Sequence, residues 1–180
     1  SGDVLVLGKP LGIGIMSAAL KKGKLDADGY AQMVASTTQL NTAGADFAAM
    51  SEVHAMTDVT GFGLLGHLLE ICRGSRLTAR VNFDDLPLWP AARELAQAGF
   101  APGAAERNWT SYGASVALPA DLALWQKNML CDPQTSGGLL VACSNAVLGD
   151  VLAIFKSHGF DSARRIGELT DGAARVEVSA

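Results

Sequence analysis

The first stretch of the sequence with residue types suited to ligand chemistry is an aspartate followed by closely spaced glycines. Asp58 stands just ahead of Thr60, Gly61 and Gly63, where a strand pattern gives way to a helix pattern. Aspartate supplies the hard oxygen that Mg²⁺ prefers, and glycines at a helix N-terminus let backbone N–H groups approach an anion. The spacing is therefore typical of a site for a metal and a phosphate, while a simple helix cap by Asp58 or Thr60 stays open as the alternative.

The same glycines also fit the GxGxxG pattern of dinucleotide-binding proteins. The pattern spans Gly61–Gly66, and Asp84 or Asp85 lies about twenty residues further on, as that fingerprint requires. A dinucleotide-binding oxidoreductase therefore stays an alternative, although it needs a parallel sheet with this run in its first strand-to-helix turn. No Gly-Lys-Ser or Gly-Lys-Thr sequence occurs here, so the run is not a Walker A phosphate loop.

A second candidate segment runs from Asp132 to Gly138, just before an apolar strand. Gln134, Thr135 and Ser136 are short or adaptable hydrogen-bond donors, and such a loop can present backbone amides to a phosphate. Asp-Pro and Gly-Gly pairs are also ordinary turn formers. Both interpretations stay open, and the three polar residues receive no chemical role.

Neither the histidines nor the cysteines have the spacing of a metal centre or of a catalytic pair. The histidines are predicted in a strand, within a helix and at a helix C-terminus: His54, His67 and His158. The middle one could turn toward Asp58, but packing or solvation is the favoured prediction. The cysteines form no CxxC pair and indicate reduced, packed thiols: Cys72, Cys131 and Cys143.

Hydrophobic periodicity predicts an α+β fold with a single domain, built on a mixed, mostly antiparallel β-sheet of about six strands packed with helices. The predicted strands are 4–7, 53–57, 77–83, 139–143, 164–169 and 174–178. The predicted helices are 12–22, 26–50 with a break near 41, 62–72, 90–99, 119–130 and 146–157. Residues 101–118 are rich in Gly, Ala, Ser and Thr and are predicted as a loop with a short helix, whose aromatics either pack or contact a ligand.

Composition excludes several classes of protein. The chain has 180 residues, of which 49% are hydrophobic and 18% charged, with a net charge of −4. These values argue against disorder and against sequence-independent nucleic-acid binding. No apolar run is long enough to cross a membrane, and no basic segment precedes the first apolar residues. We therefore expect a cytoplasmic protein, and the abrupt apolar beginning suggests a domain of a longer chain.

Taken together, three segments closely resemble the selenophosphate synthetase (selenide, water dikinase) family: Thr57–His67, Asp132–Leu140 and Lys9–Gly12. The resemblance covers essentially the whole chain but only the C-terminal half of that family, within the aminoimidazole ribonucleotide synthetase superfamily. It implies that residues 1–180 form a C-terminal domain and that the N-terminal ATP-binding domain is absent. It also implies an enzyme that converts selenide, ATP and water to selenophosphate, AMP and orthophosphate with Mg²⁺.

By motif, the resemblance makes Asp58 a metal-binding aspartate, and by adjacency it places Thr60, Gly61 and Gly63 at the ATP phosphates. The family's reactive cysteine or selenocysteine, its nearby lysine and its other metal carboxylates belong to the N-terminal half. We therefore expect no catalytic residue in this chain and no selenophosphate production by it alone.

The resemblance further implies which partners the chain has. The expected partners are ATP, selenide and its own N-terminal domain, with a homodimer for the full-length protein and no nucleic acid or membrane. Two alternatives stay open. One is another member of the superfamily, such as thiamine-monophosphate kinase, the hydrogenase-maturation dehydratase or the purine synthetase. The other is a non-catalytic binding or assembly domain, which predicts an exposed apolar patch.

Overall fold

Seven β-strands and eight α-helices follow one another in residues 1–179, the part of the chain that the computed structural model describes. The strands are β1 (Val4–Leu7), β2 (Val53–Asp58), β3 (Leu77–Asn82), β4 (Val116–Ala117), β5 (Leu139–Cys143), β6 (Arg164–Asp171) and β7 (Arg175–Ser179). The helices are α1 (Ile13–Lys21), α2 (Ala27–Thr38), α3 (Ala43–Phe47), α4 (Gly63–Ser75), α5 (Pro90–Gln97), α6 (Gly103–Tyr112), α7 (Leu124–Leu130) and α8 (Leu148–Ser157).

All strands join one sheet in the order β2-β5-β1-β6-β3-β7-β4. Four of the neighbouring pairs are antiparallel, and the two that involve β7 with β3 and with β4 are parallel. The predicted α+β class and the mixed, mostly antiparallel sheet are therefore confirmed. The seventh strand, β4, was not predicted, because two residues are too few to produce a recognisable alternation.

The centre of the sheet is buried on both faces. Every residue of β1 and β5 is buried, as their uninterrupted apolar sequences predict. Alternate residues of β1 point to opposite sides, since Leu5 and Leu7 join a large core while Val4 and Val6 join a smaller one. The large core also contains residues from α1, α4 and α7, and the smaller one is closed by α3 and α8.

Several helix boundaries differ from the predicted ones. The break near Asn41 is confirmed, since α2 and α3 are separate helices. Residues 101–118 were predicted as a loop with a short helix, and the helix is α6, which takes up ten of them. Their small and hydroxyl side chains are weak helix formers, so the helix depends on packing against α4 and α7, which periodicity does not report. Helix α7 starts later than predicted, at Leu124.

The sheet also decides the dinucleotide alternative. Strand β2, which leads into Gly61–Gly66, lies at the edge of the sheet and pairs antiparallel with β5. A dinucleotide fingerprint needs a parallel strand at this place, so that interpretation is wrong. Among the described residues, no helix has both the length and the apolar character needed to cross a bilayer.

Candidate functional site

The two segments singled out in the sequence lie against each other, although about seventy residues separate them. We call Asp58–Gly63 the 58–63 loop and Asp132–Gly138 the 132–138 loop. The Val59 N–H donates to the Gly138 carbonyl at 2.9 Å, and the Gln134 N–H donates to the Thr60 carbonyl at 3.0 Å. The tertiary structure therefore brings both sequence-predicted segments into one place.

Glycines let the two loops touch through their backbones. A Cβ on Gly137 would lie 1.9 Å from the Val59 carbonyl oxygen, which no side chain could tolerate. Gly63 has a φ of +69°, and a Cβ there would lie 2.8 Å from the carbonyl carbon of Cys131. These two glycines are required because another chain segment occupies the space of their missing side chains.

Asp58 is exposed at the end of β2, and within residues 1–179 its carboxylate makes no hydrogen bond or ion pair. Helix α4 begins after Phe62, which is its N-cap residue and forms no side-chain capping bond. The alternative in which Asp58 or Thr60 caps this helix is therefore wrong. The carboxylate is left free for a ligand.

Thr60 is held in place by hydrogen bonds to the His67 side chain. The Thr60 N–H donates to His67 Nε2 at 3.0 Å, and the Thr60 hydroxyl lies 3.2 Å from the same nitrogen. A ring nitrogen that accepts is unprotonated, so the His67 proton is on Nδ1, which lies 3.4 Å from Glu70 Oε2. His67 is buried, as the packed interpretation predicted, and it fixes the loop instead of facing a ligand.

The carbonyl groups of the 58–63 loop are turned inward by residues that the sequence did not reveal. Asn108 Nδ2 donates to the Gly61 carbonyl at 2.9 Å, and the Tyr112 hydroxyl donates to the Phe62 carbonyl at 2.8 Å. Both side chains come from α6, in the segment that was predicted as a loop with a short helix. Their partners lie about fifty residues away, and such distant bonds leave no periodic pattern in a sequence.

Two backbone N–H groups of the 58–63 loop have no acceptor within the described residues. Within residues 1–179, neither the Gly61 N–H nor the Phe62 N–H makes a hydrogen bond, and no atom lies within 4 Å of the Cβ position at Gly61. The Gly63 N–H, by contrast, donates to the Thr60 carbonyl at 3.0 Å. The loop thus combines a free carboxylate with two free amide donors, a set suited to a cation and its anionic ligand.

In the 132–138 loop, two polar side chains accept hydrogen bonds from the start of α1. Gln134 Oε1 accepts from the N–H groups of Gly12 and Ile13 at 3.2 Å each, and Asp132 Oδ2 accepts from the Gly14 N–H at 2.9 Å. These donors are the first amides of α1, which have no partner inside their own helix. Asp132 and Gln134 therefore cap a helix that precedes them by about 120 residues.

Asp132 is fully buried, and this changes its protonation. Burial raises the pKa of the Asp132 carboxyl to about 7, against the hydrogen bonds from Gln134 and from α1, which lower it. Its Oδ1 atom has no hydrogen-bond partner within residues 1–179. This buried carboxyl group serves as a hydrogen-bond acceptor for a helix N-terminus and has no access to a ligand.

Of the remaining residues in this loop, Thr135 and Ser136 are exposed, and Ser136 has a φ of +48°. The Ser136 carbonyl accepts from Lys9 Nζ at 2.7 Å. The same ammonium group donates to the carbonyls of Ser36 at 2.9 Å and Gln39 at 2.7 Å, so all its protons are used. Burial lowers the pKa of Lys9. Lys9 thus ties the loop to the C-terminal end of α2.

The 58–63 loop offers a single carboxylate to Mg²⁺, the metal that the resemblance implies. No group of three or more His, Cys, Asp or Glu side chains converges within residues 1–179. Mg²⁺ takes six oxygen ligands but only one or two protein carboxylates, with waters and phosphates as the rest. The exposed, unpaired Asp58 fits one such position, and the remaining ligands would have to come from other groups.

The cysteines have no role at this site. All three are free and buried: Cys72, Cys131 and Cys143. Burial raises the pKa of each thiol, to about 11 for Cys131, which lies nearest the loops. The thiols are therefore protonated near neutral pH and poor nucleophiles.

Comparison with known proteins gives a family and close relatives. The family described as AIR synthase related protein, C-terminal domain, matches residues 1–179. The chain is 57% identical over 178 residues to a selenide, water dikinase of Paraburkholderia xenovorans (strain LB400), and 58% identical over 179 residues to one of Burkholderia orbicola (strain MC0-3). Each match covers 99% of this chain but only 50% and 51% of the relative. The chain thus spans about half the length of these curated relatives.

Solved structures with the same fold have much lower identity. The hydrogenase maturation protein HypE of E. coli has a TM-score of 0.71 at 19% identity, and covers 100% of this chain and 46% of its own. A thiamine-monophosphate kinase from Stenotrophomonas maltophilia K279a has a TM-score of 0.68 at 20% identity, and covers 98% of this chain and 50% of its own. These likenesses show the fold alone.

Proposed function

The chain belongs to the family of C-terminal domains of AIR synthase related proteins, and we propose that it is the C-terminal half of a selenide, water dikinase. The whole enzyme would convert selenide, ATP and water to selenophosphate, AMP and orthophosphate. This half would contribute one side of the Mg²⁺–ATP phosphate site.

The identity to curated relatives carries the proposal. Identities of 57% and 58% extend over 99% of the chain, and the relatives bear the name selenide, water dikinase. The alternative of another superfamily member rests on structural likeness at 19% and 20% identity. Likeness at that level reports a shared fold and carries no activity.

Within the proposed site, Asp58 is a ligand for Mg²⁺, and the N–H groups of Gly61 and Phe62 donate to a phosphate. Phosphoryl transfer depends on positioning and on charge neutralisation, and the metal supplies the neutralisation when it is bound. The sequence placed Thr60 and Gly63 at the phosphates as well, and the proposal gives them supporting roles instead. Thr60 holds the 58–63 loop through its hydrogen bond to His67. Gly63 allows the close contact with the backbone of Cys131 and Asp132.

One carboxylate and two amides make an incomplete site, so the proposal requires the other half of the protein. Exposed apolar side chains beside the site support such a partner: Phe62 in the loop is 56% exposed and Met56 on the edge strand β2 is 38% exposed. A non-catalytic assembly role for the isolated chain is compatible with this arrangement. A homodimer of the full-length protein and a cytoplasmic location remain parts of the proposal.

A chimera tests the proposal directly. This chain replaces the corresponding half of the Paraburkholderia xenovorans relative, and selenide-dependent formation of AMP is measured. We expect activity from the chimera, none from the chain alone, and a loss of about 100-fold or more in Asp58→Asn, because a metal ligand is removed.

The matched control is Asp121→Asn, since Asp121 is also exposed and forms no ion pair within residues 1–179. We expect this variant to keep the activity of the chimera. A folded chimera that forms no AMP would contradict the proposed enzyme. Full activity in Asp58→Asn would contradict the metal-ligand role alone.

A further inference from the structure

Asn108 connects the two loops at a point where their backbones do not bond directly to each other. Its side chain is buried, and Nδ2 donates to the Gly61 carbonyl at 2.9 Å and to the Cys131 carbonyl at 3.0 Å. One carbonyl belongs to the 58–63 loop, and the other immediately precedes the 132–138 loop. A primary amide has two N–H donors, and here each has its own acceptor.

Peptide geometry gives this contact a consequence on the opposite side of the loop. A trans peptide is planar, so its C=O and N–H point in opposite directions. No peptide bond in residues 1–179 is cis. Since Asn108 holds the Gly61 carbonyl inward, the N–H of the same peptide, which belongs to Phe62, is directed outward.

The preceding peptide is fixed in the same way by backbone groups. The Thr60 carbonyl accepts from the N–H groups of Gly63 and Gln134 at 3.0 Å each, which directs the Gly61 N–H outward. These bonds do not depend on Asn108. The peptide between Gly61 and Phe62 depends on it, because Gly61 is exposed, has open space at its Cβ position and can rotate with little steric cost.

We propose that Asn108 is a positioning residue that sets the direction of the Phe62 N–H toward the ligand phosphate. The proposal rests on the proposed function for the identity of the ligand. It adds a residue from α6 that lies outside both sequence segments and does not itself contact the ligand. Asn108 acts only through the Gly61–Phe62 peptide.

The test uses this chain with Asn108→Asp, which keeps the side-chain shape but removes both donors. Backbone order parameters are measured by ¹⁵N relaxation without any ligand. We expect wild-type values of about 0.85 at Gly61 and Phe62 to fall below about 0.6 in the variant, while α4 and α6 stay rigid. Unchanged order at these two residues in a folded variant would overturn the proposal.

A second measurement compares the ligand affinity of the variant and of the wild type. Mg²⁺ with a non-hydrolysable ATP analogue is titrated into each chain, and amide shifts of Asp58–Gly63 are recorded. We expect affinity in Asn108→Asp to be about tenfold lower or more, because a donor to a charged group is no longer held in place. Thr110→Ala is the matched control on α6, because its hydroxyl bonds only within its own helix, to Glu106 at 2.9 Å. Equal affinity in Asn108→Asp and wild type would overturn the proposal.

Two further outcomes keep the inference separate from the proposed function. If the isolated wild-type chain shows no ligand-induced shifts, the affinities are compared in the chimera that supplies the other half of the site, while the order parameters still decide whether Asn108 holds the peptide. If Asn108→Asp does not fold, Asn108→Ser replaces it. The hydroxyl keeps one donor, and we expect a partial loss of order confined to Gly61 and Phe62, whereas full order there would overturn the proposal.

Discussion

The two loops each contain an aspartate, and the two aspartates differ in burial and in hydrogen bonding. Asp58 is exposed and makes no hydrogen bond within residues 1–179, while Asp132 is fully buried and caps α1. The 58–63 loop turns its carbonyls inward and leaves donors free. In the 132–138 loop, the side-chain acceptors bind the first amides of α1. Its backbone is hydrogen-bonded to the 58–63 loop. The 58–63 loop is therefore suited to ligand contact, and the 132–138 loop is suited to holding the 58–63 loop in place.

The largest expected effect comes from adding one methyl group where the two loops touch. In Gly137→Ala the new Cβ would lie 1.9 Å from the Val59 carbonyl oxygen, so the loops must separate. We expect a loss of about 3 kcal/mol or more in the free energy of unfolding, measured by urea denaturation. Gly61→Ala is the matched control, because nothing lies within 4 Å of that Cβ position, and it should lose less than about 1 kcal/mol. Similar losses in both variants would contradict the division of roles.

The next effect concerns the cap of α1. Gln134→Ala removes the acceptor of the Gly12 and Ile13 N–H groups and a donor to Asp132. Buried groups without partners cost free energy, so we expect a loss of about 2 kcal/mol in urea denaturation. Its neighbour Thr135 is exposed, and Thr135→Ala should change stability by less than about 0.5 kcal/mol. A neutral Gln134→Ala would show that α1 needs no cap from this loop.

The smallest effect, counted per pH unit, is a dependence of the free energy of unfolding on pH. Burial raises the pKa of Asp132 to about 7, and an aspartate in the unfolded chain titrates near 4. Between these values the folded chain holds more protons, so this group makes the free energy of unfolding fall as pH rises. The slope from this group reaches about 1.4 kcal/mol per pH unit at most.

Asp132→Asn removes that ionisation and keeps an acceptor for the Gly14 N–H. The stability of the variant relative to wild type should therefore increase from about pH 4 to pH 7 and then stay constant. Urea denaturation at four pH values across this range measures the difference. Asp58→Asn controls for the loss of one carboxylate. A constant difference between Asp132→Asn and wild type would show that burial does not perturb Asp132.

Local sequence patterns predicted most of the fold. The apolar runs of β1 and β5 required burial on both faces, and both strands are buried throughout. The helices predicted to end at residues 22 and 157 end at Lys21 and Ser157, and glycines with positive φ follow both of them, Gly23 and Gly159. A short helix was predicted within residues 101–118, but not its bounds or its ten-residue length as α6. The two-residue strand β4 was missed, since it has no apolar period strong enough to be recognised in isolation.

The sequence also singled out the two segments of the candidate site, but not the separate structural roles of their residues. Asp58 and the 132–138 loop were both singled out, and the structure brings the two segments together. The prediction of Asp58 as a metal ligand stays a prediction. The structural roles of Asp132 and Gln134 were not foreseen, because their partners at the start of α1 lie about 120 residues away.

The α+β class, the apolar strands and the resemblance to one family could all be predicted from the sequence, because they depend on local periodicity and on residue identity. Folding was needed to show which aspartate is free, which one caps a helix, and that Asn108 joins the two loops. Helix ends and loop carbonyls take any donor or acceptor that folding brings near. Those partners come from distant segments, so no spacing along the chain encodes them.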